Sequence, residues 1–297
     1  MDPELEFLFS LLVSGLSIGM MYALIALGFV LVYKATDAIN FAQGEFVMLA
    51  GFICATSLVY AVPLWLALLL TVVLMVAFSF ALERIVLRPL LGRPVVAVIM
   101  ATIGLAAILR GLPPITIGAQ TKTIPLPISD EAVSFLWTSL PRIQVLGIVV
   151  TILCLAAFTW FFTKSRMGVA MRAVADNQQV AMAMGINVER YFAIAWAMAG
   201  IVAALGGIIW GSMLGVDTQL ALVGLKVFPV VILGGLDSIA GAIVGGLIVG
   251  VVESVAAGYL DPVVGGGTKD FAPYVLMIVA LMFKPYGLFG KRRIERI

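Results

Sequence analysis

The sequence predicts an all-α, polytopic integral membrane protein with about eight to nine membrane segments, some of them broken or re-entrant. Three observations carry that reading. Of the 297 residues, 63% are hydrophobic and 11% charged, against about 25% charged in an ordinary soluble domain. Apolar stretches near the roughly 18 to 20 residues that cross a bilayer recur along most of the length. The basic residues gather in a few connections, as they do between the spans of membrane proteins. We read residues 1–297 as a single lipid-embedded unit with no second domain.

The opening MDPELEF is acidic and precedes an apolar run longer than a signal-peptide core, so the first segment, 8–33, is expected to be retained. The second, 40–60, opens on INFAQGEF. Here Asn40 is expected to N-cap the helix, with Gln43 three residues on completing a capping box, while Glu45 suits the positive end of the helix dipole. Segments at 63–83 and 95–112 come next. Residues 113–142 contain Pro113, Pro114, Pro125, Pro127 and Pro141, too many for continuous helix, and read as an outer loop, either a docking surface or a passive cap. A fifth segment is expected at 143–163.

The next connection, 164–190, reads KSRMGVAMRAVADNQQVAMAMGINVER. Asp176 as N-cap and Gln179 three residues later predict a helix start, and Gly185 supplies the residue that most easily takes the left-handed turn ending a helix. Asn187 can cap the transmembrane helix after it. A two-turn helix over 177–184 results, with Val180, Ala181, Ala183 and Met184 forming an apolar face on an aqueous surface. Such a face suits either a groove in a partner protein or the headgroup layer. Beyond it lie segments at 191–215, 222–235, 240–258 and 272–289. The segment at 222–235 is short and carries Lys226 and Pro229, so it reads as broken or re-entrant and shielded from lipid. Gly234 and Gly235 followed by Asp237 and Ser238 predict a tight turn and a new helix start.

Orientation follows from charge. Lys34, Arg84, Arg88, Arg93, Lys164, Arg166, Arg172, Arg190, Lys284, Lys291, Arg292, Arg293 and Arg296 fall on one side and make up 13 of the 18 Lys and Arg residues. Positive loops stay in the cytoplasm. The other side receives Lys122, Arg142 and Lys269 with the acidic Asp2, Glu4, Glu6, Asp130, Glu131, Asp217, Asp261 and Asp270. Nine crossings would put the N-terminus outside and the C-terminus inside.

The chain contains no histidine, which removes Ser-His-Asp and Cys-His catalysis, H-E-x-x-H zinc sites and histidine proton relays. Cys54 and Cys154 have no metal-site spacing and read as packing residues. No metal site, cofactor or nucleic-acid partner is expected. GGGTK at 265–269 lacks the spacing and the final Ser or Thr of a phosphate loop, so this chain is not expected to hydrolyse ATP and has no catalytic residues to assign.

Taken together, GLSIGMMYALIALGFVLVY, INFAQGEF, SRMGVAMRAVADNQQVAMAMGIN and VVILGGLDSIAGAIVGGLIVG resemble the permease subunits of branched-chain amino acid ABC transporters, along essentially the whole chain. The resemblance implies an importer of the bacterial inner membrane. In it two related permeases pair, two cytoplasmic ATPases using ATP and Mg supply power, and a periplasmic binding protein delivers substrate. It also implies that Asp176 to Gly185 forms the coupling helix seated in an ATPase cleft, with Arg172, Asp176, Gln179, Val180, Ala181, Met184 and Gly185 as the coupling residues. One position departs: the family commonly has histidine where this chain has Gln43, and glutamine cannot titrate near neutral pH. Similar permeases carry urea, amides or aromatic carboxylates as well as amino acids.

An ionisable group at membrane depth is by default a functional candidate facing protein or a water-filled cavity. Asn40, Gln43, Glu45, Lys226 and Glu253 are therefore the candidate substrate-path residues. Glu45 is expected to face the path or to anchor the helix that lines it. Lys226 and Glu253 either pair with each other or leave Lys226 to attract a substrate carboxylate. Two rival functions stay open: a secondary transporter or channel working without ATPases, and a membrane enzyme using Glu45 or Glu253 as acid or base. Uptake without ATPases would mark the first, and conversion of a lipid-soluble substrate the second.

Overall fold

The computed structural model describes residues 3–90, 93–118, 120–128, 132–135 and 138–290. The charges read above at Asp2, Asp130, Glu131, Lys291, Arg292, Arg293 and Arg296 lie outside the described residues. The chain forms α1 (Pro3–Thr36), α2 (Gln43–Val59), α3 (Leu64–Leu82), α4 (Val95–Thr116), a hairpin of β1 (Ala132–Phe135) and β2 (Thr138–Pro141), then α5 (Arg142–Lys164), α6 (Arg166–Asp176), α7 (Gln178–Ala183), α8 (Val188–Leu214), α9 (Leu222–Gly234), α10 (Ile239–Tyr259), α11 (Asp261–Val264) and α12 (Thr268–Phe283). Among the described residues six helices are long and apolar enough to cross a membrane: α1, α3 with its continuation to Leu90, α4, α5, α8 and α10. The chain is a multi-pass helical membrane protein. α2 is shorter, as is the stretch Thr218–Gly234 that contains α9.

Three expectations are corrected. The helix at 95–112 does not stop before the prolines: α4 runs through Pro113 and Pro114 to Thr116. Each proline withdraws one N–H, so only the carbonyls of Leu109 and Arg110 lose their helical donors, near the end of α4; membrane helices tolerate such breaks where other groups take up the freed carbonyl. The loop expected over 113–142 also contains an antiparallel hairpin, Ala132 opposite Pro141 and Phe135 opposite Thr138. Proline excludes helix there but not the end of a two-stranded ladder, where Pro141 sits. Finally, the expected segment 272–289 begins earlier and ends at Phe283.

The contacts fall into two compact units. One comprises Met1–Ala26, Ile128–Ile152 and Lys226–Ile297. In it α1 and α10 meet backbone to backbone: a Cβ built on Gly19 would lie 2.5 Å from the Gly246 carbonyl oxygen. The other unit comprises Leu27–Pro127 and Leu153–Leu225. Its core is α2 packed between α3 and α8, with the Phe46 ring 5.4 Å from Phe78 and 6.1 Å from Trp196. A Cβ on Gly207 of α8 would come within 2.3 Å of the Val47 carbonyl. Small residues let backbones approach where lipid supplies no hydrophobic drive between helices.

Candidate functional site

The expected cap on α2 is not the one the chain makes. α2 begins at Gln43 with Ala42 as its N-cap and no side-chain cap, so Asn40 stands outside the capping position. Its side-chain oxygen accepts instead from the Ala42 N–H at 3.0 Å, and its amide donates to Gln43 Oε1 at 3.2 Å. The backbone N–H of Phe41 donates to Thr102 Oγ1 of α4 at 3.3 Å. Asn40, Gln43 and Glu45 are all buried. The amide nitrogen of Gln43 packs against Gly28, where a Cβ would lie 2.2 Å away, and it has no hydrogen-bond partner among the described residues. The reason for the departure is burial. Asn40 closes a turn of the chain, and tertiary contacts then fix where the helix starts.

Glu45 forms an ion pair with Arg110 of α4. The Glu45 side chain is 3% exposed and that of Arg110 44%. Sequence reasoning passes over Arg110 altogether, although a basic residue inside a 22-residue apolar helix is the signal that finds it.

Lys226, Glu253 and Asp270 lie in one cluster. Lys226 Nζ is 3.1 Å from Glu253 Oε1 and 2.8 Å from Asp270 Oδ1, and the Tyr22 hydroxyl donates to Glu253 Oε2 at 2.7 Å. Glu253 is buried, so both of its oxygens are matched by donors, as burial of a carboxylate demands. Sequence reasoning pairs Lys226 with Glu253 but misses Asp270, which it assigns to an outer connection, and Tyr22, whose hydroxyl is invisible in an apolar pattern.

The third cluster is α6–α7. Sequence reasoning leaves Arg166–Asp176 without structure, yet it is a helix capped by Ser165, whose hydroxyl accepts from the Gly168 N–H. It buries Gly168, Met171 and Val174 on one side, and the Arg172 guanidinium donates to the Phe162 carbonyl. Asp176 ends this helix. The N-cap of α7 is the next residue, Asn177, in extended conformation with its side chain accepting from the Val180 N–H at 3.0 Å. Asp176 is thus corrected as the cap, and Gln179 falls one position short of the capping-box glutamine. α7 ends as expected at Gly185, φ +80°, in a Schellman pattern: Ile186 N–H to Ala181 O and Gly185 N–H to Met182 O, both 3.0 Å. Asn187 caps α8, accepting from the Arg190 N–H. The apolar face is also revised. Val180, Met182 and Met184 are exposed, Met184 by 78%, whereas Ala181 is buried and holds α7 down.

Beside the start of α7 is a cavity of about 390 Å³ lined by Asp37, Glu83, Arg93, Asp176, Phe192 and Trp196, among others. Arg88 braces its wall, with contacts of 3.1 Å to both Glu83 and Glu189.

Residues 11–281 match the family described as branched-chain amino acid transport system / permease component. The high-affinity branched-chain amino acid transport system permease protein BraD of Pseudomonas aeruginosa is 31% identical, over 99% of this chain and all of the relative. LivH of Escherichia coli, a permease protein of the same description, is 30% identical over the full length of both. The probable branched-chain amino acid transport permease LivH of Methanocaldococcus jannaschii is 29% identical over 90% of this chain and 88% of its own. The likeness therefore takes in both compact units and all three clusters.

Proposed function

The chain belongs to the family of branched-chain amino acid transport permease components, membrane subunits of ATP-driven importers, and from that premise we propose that it carries branched-chain amino acids into the cytoplasm. It does so with a second, related permease, two ATPase subunits that bind ATP and Mg, and an external binding protein. It sits in the inner membrane, with the basic connections and the C-terminus in the cytoplasm and the N-terminus outside. The chain itself is not an enzyme, and Arg172, Asp176, Gln179, Val180, Ala181, Met184 and Gly185 make up or support the element the ATPase moves.

The observation that carries the coupling role is α7. It is six residues long, fixed at both ends by local hydrogen bonds, and it turns Val180, Met182 and Met184 away from the protein. Its surroundings, Lys164, Arg166 and Arg190, belong on the cytoplasmic side. An isolated helix this short is unstable in water, so its two caps and the buried Ala181 are what keep it folded and able to transmit a push. A flexible, polarisable methionine surface fits a groove in a partner.

The test is a pair of variants, Val180→Asp and Met184→Asp, in the purified and reconstituted complex. Each is expected to reduce both co-purifying ATPase and ATP-dependent leucine uptake by about tenfold, the effect of losing an interface anchor worth roughly 1.4 kcal/mol. Full ATPase association in both variants, or uphill leucine uptake by this chain alone, would overturn the proposal.

A further inference from the structure

α4 has 22 residues, a length of about 33 Å at 1.5 Å per residue. Arg110 stands six residues before its last, Thr116, or about 9 Å from that end, which puts its Cα within the hydrocarbon layer of roughly 30 Å. A lone arginine so placed normally stretches to the nearer headgroups. This one is held elsewhere. The start of α2 is tied to α4 at Thr102, eight residues or about 12 Å before Arg110, and Glu45 on the first turn of α2 takes the guanidinium. The charge is thereby turned toward the middle of α4.

That leaves most of the guanidinium unused. It has five N–H donors; among the described residues Glu45 is its one partner, reached from Nη2. Almost half of the side chain stays exposed. Charged donors at this depth face water or a ligand rather than lipid. Room is available beside it, since Ala107 on the same face and the adjacent Gly111 are small and exposed, and a Cβ on Gly111 would meet nothing within 4 Å.

We infer that Arg110 receives the carboxylate of the amino acid as it passes, and that Glu45 is the positioning residue that fixes the guanidinium; this rests on the amino acid cargo proposed above. A carboxylate presents two oxygens matched to the arginine fork. The charges also balance. Arg110 with Glu45 is neutral when empty and stays neutral with a zwitterion, whereas a carboxylate lacking the ammonium group would leave an uncompensated negative charge inside the membrane.

The experiment uses the reconstituted importer with its binding protein and compares Arg110→Gln, Arg110→Lys and the double variant Glu45→Gln/Arg110→Gln, reading leucine uptake and the thermal midpoint of the purified complex. Arg110→Gln strands the Glu45 carboxylate, so both uptake and midpoint fall. The double variant removes both charges and recovers the midpoint, but uptake stays down by about tenfold or more, the weight of a charge-assisted contact. Arg110→Lys, keeping the charge without the fork, falls between. Recovery of uptake in the double variant, or unchanged uptake in Arg110→Gln, would overturn the inference and leave the pair as scaffolding. Failure of the wild-type importer to take up any branched-chain amino acid refutes the cargo separately. Arg110 is then judged on the cargo found: a carboxylate-bearing one lost in Arg110→Gln upholds it, and an uncharged one such as urea overturns it.

Discussion

Two stretches of this chain are written alike and built differently. Asn40 and Gln43, like Asp176 and Gln179, place an amide or carboxylate three residues before a glutamine, and both read as capping boxes. Neither becomes one. At the first, Asn40 and Gln43 are buried, the amides bond to each other and to a turn, and α2 starts at Gln43 without a side-chain cap. At the second, the cap moves one residue to Asn177 and the helix is closed by local hydrogen bonds at both ends. The difference is where the stability resides. α2 begins where α4 and the region before α9 hold it, while α7 is secured largely by its own caps and one buried alanine.

The largest loss of stability is expected from adding a side chain at Gly44. A Cβ there would lie 2.3 Å from the Ala221 carbonyl and 3.0 Å from Gly224 Cα, and neither backbone atom can swing aside. Gly44→Val is expected to destabilise the protein by about 3 kcal/mol or more, read as a lowered thermal midpoint in detergent. Gly185→Ala provides the contrast. It meets nothing within 4 Å and strains only its positive φ, which gives about 1 kcal/mol confined to α7. Equal losses for the two would show that α2 is no more dependent on its neighbours than α7 is.

The next effect separates two adjacent residues. Asn177→Ala removes the side chain that accepts from the Val180 N–H and is expected to weaken α7 by about 1 kcal/mol, seen as roughly fivefold faster amide exchange there. Asp176→Ala, at the end of α6, leaves that bond in place and should change exchange in α7 less. The reverse order would return the cap to Asp176.

How far the sequence could be read obeys the same division. Long apolar helices were legible because bilayer thickness sets their length, and Gly185, Asn187 and Ser238 were legible because turns and caps are chosen by one residue's own geometry. The start of α2 was not, because Thr102, Gly44 and Ala221 decide it from far along the chain. Nor was α6: its buried positions, Gly168, Met171 and Val174, include a glycine that hydrophobic periodicity does not count, although it is where a Cβ would strike the Phe161 carbonyl at 2.3 Å. Arg110 is a single charge in an apolar helix of 22 residues, and nothing in its own sequence neighbourhood names the residue it meets. Its partner Glu45 was singled out, but which charge would meet it depends on how α2 and α4 lie together.

The smallest expected change in stability is also the one that tests what α7 is for. α6 buries its apolar side in its own protein, whereas α7 leaves Met182 and Val180 more than half exposed, so Met182→Ser removes little contact and should stay within about 0.5 kcal/mol of the parent in thermal unfolding. If that surface serves only the folded chain, nothing else should change. If it enters a groove on an ATPase, the same substitution withdraws a thioether from an interface and lowers ATPase retention while the midpoint holds. A surface resting on lipid gives a third pattern: full ATPase retention, with α7 amides in vesicles exchanging faster than in the parent. The three readings differ in where the loss shows, and an unshifted midpoint is what lets the other two measurements be read as contacts made beyond this chain.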